Sequence, residues 1–241
     1  MSLEIRVVSE NGYVVVEDDL DFLSIGRDSF GRWANRESPL TIARDDYVEL
    51  CASLFEALEA DGIHDADVRI QGSSVNFFSS RLKPMPYDQG ALVSEFLKQY
   101  SRLPSQFETD RMMARLASRW AEHGPSQRPF DAMFIIGAAR EASDLDFQVS
   151  SEDVRKRLEE QAQSLGTNLA AIRAINPDYN FFIKELTESE FRNLSLWRIR
   201  AMDLIRRPVS VAMFDGGGPP RFDSAVSSHF KEEDWRVTRF E

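Results

Sequence analysis

Cysteine is almost missing from this chain. Cys51 stands alone, so no intrachain disulfide forms, and the chain suits a reducing compartment. Cys51 sits in an apolar helical pattern, which predicts an inert core thiol. No apolar run reaches the length that crosses a membrane. The start, Met1-Ser2-Leu3-Glu4, lacks the basic segment and apolar run of a secretory signal. The expectation is a cytoplasmic protein with no membrane contact. Histidine is scarce: His64, His123 and His229 are scattered, without zinc-site spacing. A surplus of basic charge is missing too. The chain has 29 Lys and Arg against 40 Asp and Glu, a net charge of −11, which speaks against an extended nucleic-acid surface. It leaves room for a local nucleotide pocket. There is no Walker loop, no dinucleotide fingerprint and no nucleophile elbow.

What is present is an ordinary globular composition, 42% hydrophobic and 29% charged over 241 residues. That predicts a single domain of generous size. Its most informative stretch is Ser143-Asp144-Leu145-Asp146-Phe147-Gln148-Val149. Polar and apolar residues alternate here, the period of a half-buried strand. Asp144 and Asp146 then project from one face while Leu145, Phe147 and Val149 enter the core. Two carboxylates side by side repel unless a cation lies between them. A hard divalent cation such as Mg2+ (or Mn2+) suits them and keeps positions open for phosphate.

Upstream, Asp67-Val68-Arg69-Ile70-Gln71-Gly72-Ser73-Ser74 reads as a strand running into a Gly-Ser turn. Glycine lets the backbone approach a phosphate closely. A strand, a Gly-Ser turn and a later Ser-Asp-x-Asp strand together resemble the nucleotidyltransferase (DNA polymerase beta-like) superfamily, over roughly residues 63–215. The phrases around Arg69–Ser74 and Arg140–Asp146 resemble uncharacterised bacterial nucleotidyltransferase-like proteins. The resemblance implies an α+β fold with a mixed sheet flanked by helices. It implies that Asp144 and Asp146 are catalytic and hold the metal. It makes Gly72, Ser73 and Ser74 the phosphate turn, with Arg69, Lys83, Arg140 and Ser143 as further nucleotide contacts. Such enzymes usually take a third carboxylate from a later strand. Asp215, at the end of the strand-like Pro208–Phe214, is the candidate for it; the alternative is that Asp215 opens a turn. Gly137, just before the pair, is a second candidate phosphate turn, with Gly72-Ser73 preferred because it keeps the serine.

The remaining expectations concern organisation. Glu4–Glu17 reads as a hairpin around Asn11-Gly12, and Asp18–Ser38 as loop, with Gly26 and Gly31 as turns. Residues 1–40 thus precede a helix capped by Thr41 or Asp45 and ended by Asp61-Gly62. Two amphipathic helices within 88–123 form an insertion of about 84–128. Ser150 is expected to cap the next helix, which continues to Ile175 with an interruption near Gly166. Asn176–Tyr179 is a turn, Glu188–Arg206 one amphipathic helix, and Trp235 and Phe240 pack against the body.

The functional expectation is metal-dependent transfer of a nucleotidyl group from a nucleoside triphosphate to an unknown acceptor. The alternative is a noncatalytic nucleotide-binding or interaction protein, of toxin–antitoxin or defence type, that keeps the fold. A protein partner or a homo-oligomer fits either. A metal-dependent hydrolase using the same pair ranks lower, because it gives the Gly-Ser turn no role.

Overall fold

A computed structural model describes residues 6–121, 123–168, 171, 181–218 and 234–239. The chain is α+β, with helices around a four-stranded mixed sheet. The strands are β1 (Asp67–Gln71), β2 (Leu145–Ser150), β3 (Val209–Phe214) and β4 (Trp235–Val237), in the order β3-β2-β1-β4. β1 runs antiparallel to β2 and β4, and β2 runs parallel to β3.

Alternation gives this sheet two different faces. Val68, Ile70, Leu145, Phe147, Val149, Val209 and Met213 are buried in one apolar cluster. Helices α3 (Arg44–Ala60), α8 (Glu152–Ser164) and α10 (Arg192–Ile205) supply Leu50, Leu54, Leu158, Leu194 and Trp197 to it. Trp197 meets Phe147 edge-on at 5.3 Å, and its Nε1–H donates to the Leu50 carbonyl at 3.2 Å. The opposite face carries Asp67, Arg69, Gln71, Asp146, Gln148, Ser150 and Ser210, neighbours in register across three strands.

Two carboxylates on the loop between α3 and β1 cap distant helices. Asp61 accepts from the Asn193 and Leu194 backbone N–H groups at 3.1 and 2.8 Å, and so caps α10. Asp65 accepts from the Ser151 hydroxyl and from Glu152 N–H at α8. Replacing Asp61 by Ala is expected to cost about 1–2 kcal/mol. That lowers the melting temperature by about 2–4 °C for each kcal/mol in a chain of this size. Asp61→Asn keeps an acceptor and should recover part of the loss in a thermal melt.

A second apolar cluster holds Leu23, Leu40, Phe77, Phe96, Leu116, Trp120 and Phe130, and Trp33 packs against both clusters. It is built by the N-terminal segment with α1 (Glu17–Phe22) and α2 (Arg27–Ala34), and by α5 (Gln89–Tyr100) and α6 (Gln106–Trp120) of the insertion. Isolated bridges Phe78–Pro129 and Pro84–Gln127 close the insertion at its base. Buried Asp19 ties the N-terminal segment to α6 by accepting from Trp120 Nε1 at 2.8 Å and Arg119 Nε at 2.5 Å.

Several local expectations change. Residues expected as loop, Asp18–Ser38, contain α1 and α2; Gly26 is the N-cap of α2 and Gly31 lies inside it. The Asn11-Gly12 turn forms, but among the described residues its arms make only the bridge Val8–Val14 rather than strands. The N-cap of α3 is Ala43, with no side-chain bond, rather than Thr41 or Asp45. Ser151, not Ser150, caps α8. The long helix expected over Glu188–Arg206 divides into α9 (Lys184–Glu190) and α10, because Phe191 leaves the helical conformation (φ −105°, ψ 76°) to bury its ring. Asn176–Tyr179 and Phe240 lie outside the described residues. Trp235 is buried on β4.

Candidate functional site

The end of β1 and the start of β2 meet at one point, because the antiparallel register pairs Gln71 with Asp146. The next residue, Gly72, has φ +87° and ψ −171°, a conformation that L side chains rarely adopt. A Cβ placed there would meet Asp146 Oδ2 at 3.2 Å. The turn therefore presses its backbone against the carboxylate, and only glycine permits the approach. After it, α4 (Ser73–Asn76) is a single turn. Ser73 is half-buried; Ser74 is buried with its Oγ lacking a hydrogen-bond partner.

Asp144 is exposed and Asp146 half-buried. Burial, followed by the charge and close approach of Asp144, pushes the Asp146 carboxyl up to about 7; a hydrogen bond from Ser210 and the charge of Lys83 oppose the rise. Ser210 lies directly opposite Asp146 on β3, and its hydroxyl donates to Asp146 Oδ1. Lys83 lies exposed on the segment after the single helical turn at Ser73–Asn76 and acts on Asp146 through its charge.

The strand start that carries Asp144 is clamped from below. Asp131, the left-handed N-cap of α7 (Ala132–Ile136), exchanges two hydrogen bonds with Ser143. The Asp131 N–H donates to Ser143 Oγ at 3.0 Å and the Ser143 N–H donates to Asp131 Oδ1 at 2.7 Å. Arg207, just before β3, donates to both Asp131 oxygens at 3.0 and 2.6 Å and to the Ser143 carbonyl at 3.1 Å. Its guanidinium also lies over the Phe130 ring at 4.7 Å. A fork-to-fork pair of this kind fixes geometry as well as charge.

The residues expected at the site thus separate. Asp144, Asp146 and Gly72 come together, and the charge of Lys83 acts on Asp146. Ser143 is adjacent, but its hydrogen bonds serve the clamp. Arg140 is exposed on the loop before β2. Arg69 turns to Asp67, at 3.2 and 3.3 Å, toward the other end of β1. Gly137 is the left-handed C-cap of α7, and its N–H bonds Met133 and Phe134 carbonyls. A phosphate turn there would have to unmake a helix end.

Asp215 is not beside the pair. Because β2 and β3 are parallel and Asp146 pairs with Ser210, Asp215 follows at the far end of β3, about 16 Å along the strand. There its Oδ1 accepts from Gly217 N–H at 3.2 Å, the turn chemistry of aspartate. The place opposite Asp146 belongs to Ser210. Sequence reasoning missed Ser210, Asp131 and Arg207. The signal for Ser210 is faint: it is the only hydroxyl in the apolar run of β3.

Among the described residues, no group of three or more His, Cys, Asp or Glu is placed to hold a metal ion. The donor set of Asp144 and Asp146 still fits one hard cation completed by substrate phosphates and water, the usual manner for Mg2+. It does not fit a three-carboxylate site. No helix among the described residues is long and apolar enough to cross a membrane. The chain matches no protein-family model, and no curated protein or solved structure shows significant similarity to it.

Gly72→Ala tests the turn directly. Forcing a side chain into this backbone region costs on the order of 1–3 kcal/mol, and its Cβ displaces the Asp146 carboxylate. The expected result is a lower melting temperature together with loss of metal-dependent ligand binding. Gly31→Ala, at a glycine with open space around it, is the control that should leave binding unchanged.

Proposed function

We propose that the chain binds a nucleoside triphosphate with one Mg2+ (or Mn2+) at the meeting point of β1 and β2. The observation that carries this reading is the contact of Gly72 with Asp146. A strained glycine turn and a carboxylate pair meet there from segments far apart in sequence, and the charge of Lys83 acts on Asp146. Asp144 and Asp146 hold the cation. When bound, the cation neutralises phosphate charge and draws the two carboxylates out of mutual repulsion. The Gly72 backbone and Ser73 face the outer phosphates, and Lys83 adds a positive charge.

The arrangement favours binding over transfer. In the superfamily that the motifs resemble, a third carboxylate helps position the attacking hydroxyl, and here Ser210 stands in that place. A neutral serine, itself donating to Asp146, neither holds a second cation nor takes up a proton at neutral pH. This is the noncatalytic alternative, a nucleotide-dependent interaction protein. Nucleotidyl transfer with a single cation is the second reading. It is favoured by the raised pKa of Asp146, since perturbed carboxyls gather where chemistry occurs. A cytoplasmic site, where nucleoside triphosphates and Mg2+ are supplied, suits both.

Pyrophosphate release separates the two. With Mg2+ and each of the four nucleoside triphosphates, the binding reading expects saturable binding with no pyrophosphate above the level of Asp144→Ala/Asp146→Ala. Pyrophosphate formed by the wild type and abolished in that variant would establish transfer instead.

A further inference from the structure

We propose that this protein forms a two-fold dimer through the outer face of α10, packed antiparallel against α10 of a second copy. A surface helix usually carries one apolar stripe, the one that faces the core. α10 carries two. Leu194, Trp197 and Ala201 enter the core. On the opposite side Leu196 and Ile199 are 52% and 49% exposed. Arg192 and Asp203, both exposed, end the same line. The four positions are spaced four, three and four residues apart, the spacing that keeps side chains on one seam between paired helices. The line runs along about 16 Å of helix.

A single exposed leucine needs no explanation. The order of these residues does. Cation, aliphatic, aliphatic, anion is its own complement when reversed. In an antiparallel pair centred between Trp197 and Arg198, Leu196 faces Ile199 of the second copy, and Arg192 faces Asp203 of the second copy. The two-fold axis repeats both contacts, so four aliphatic side chains meet and two ion pairs close around them. An isologous interface requires such self-complementarity. A parallel pair would set Arg192 against Arg192 and Asp203 against Asp203. The palindromic order favours a second copy over an unrelated protein, whose surface has no cause to mirror this one.

Within one copy the two charges are unused. Among the described residues neither the Arg192 nor the Asp203 side chain has an ion-pair partner. Asp203 also stands in the last turn of α10, at the negative end of the helix dipole, where its charge is unfavourable. An arginine brought by a second copy answers it. The contact is small and belongs to the weak, concentration-dependent class. The monomer is folded before it pairs, because the other stripe of α10 is already seated in the core.

The test is sedimentation of the wild type over micromolar to millimolar concentrations, beside Arg192→Asp, Asp203→Arg, the double variant Arg192→Asp/Asp203→Arg, and Leu196→Gln. The wild type should pass from monomer to dimer as concentration rises. Each single charge variant sets like charges against each other at both ends, and should raise the dissociation constant at least about tenfold. The double variant exchanges the two charges and should restore the wild-type dimer. Leu196→Gln leaves the charges alone and should give a loss like that of the single charge variants. All four positions are exposed, so melting temperatures at low concentration should stay close to that of the wild type. A wild type that is monomeric up to millimolar concentration overturns the proposal. So does a dimer that either single charge variant or Leu196→Gln leaves intact, or one that the double variant fails to restore. No metal or nucleotide enters the experiment, so its outcome is independent of the proposed function.

Discussion

Asp146→Asn should stabilise this protein at pH 8 and abolish its metal-dependent ligand binding. Both effects come from one cause. Asp146 is held partly out of water beside Asp144, so its carboxyl is pushed up to about 7, far above an ordinary aspartate near 4. The folded state therefore holds this proton more tightly than the unfolded chain does. That contribution to stability is fully present below the unfolded pKa and is lost as pH rises toward 7. Asparagine carries no charge to repel Asp144 and keeps an acceptor for the Ser210 hydroxyl. The stability of the variant relative to wild type should grow between about pH 4 and 7 and then level off, at on the order of 4 kcal/mol. Denaturant unfolding at several pH values measures it. Adding Mg2+ should raise the melting temperature of the wild type at pH 8 and leave Asp146→Asn unmoved, because binding to the native state alone stabilises it. A gain in stability coupled to a loss of binding is the signature of a site kept strained for function. A loss of stability in Asp146→Asn would instead make the carboxylate a structural acceptor for Ser210.

Arg207→Ala should produce the largest destabilisation. Asp131 and Arg207 are a buried pair, with side chains 6% and 13% exposed. Removing the arginine leaves Asp131 charged in the interior without its cation, and breaking such a pair costs about 3–5 kcal/mol. For a chain of this size that lowers the melting temperature by about 6–20 °C. The same change frees the Ser143 carbonyl and loosens the β2 start that carries Asp144. Ligand affinity should therefore fall in conditions where the variant is still folded. Arg207→Lys keeps the charge but loses the planar fork, and should fall between. The double variant Asp131→Ala/Arg207→Ala separates pair energy from position. It should be less destabilised than the sum of the singles, while ligand affinity stays low.

Much of the architecture was legible because it is written in short periods. The alternation in Asp67–Gln71 and Leu145–Ser150, and the stripes of α5 and α6, each follow from a local pattern. The Gly-Ser turn and the carboxylate pair were legible for the same reason, and the fold brings them together. Other features depend on distant partners. α1 and α2 are too short to be stable alone; they exist because Leu20 of α1, with Leu23 and Ile25 after it, is buried in the second cluster and Phe30 and Trp33 of α2 pack against it. Their charge and glycine content therefore misled. The break at Phe191 is a tertiary choice: burying one ring outweighs continuing a helix whose periodicity runs on unbroken. Asp215 was misplaced because the register of two parallel strands is set by packing along their whole length. A displacement of five residues on β3 moves a carboxylate from the site to the opposite end of the strand. Arg207 and Asp131 gave no signal, since a single arginine before a strand and a single aspartate before a short helix look like surface charges.

The most direct measurement is calorimetric titration of Mg2+–nucleoside triphosphate into the wild type and into Asp144→Ala/Asp146→Ala at pH 8. Saturable binding that requires Mg2+ and disappears in the double variant, with the variant still folded by circular dichroism, is the predicted result. Binding that survives without Mg2+ or in the double variant, or no binding by a folded wild type, would contradict the claim that β1 and β2 meet at a metal–nucleotide site.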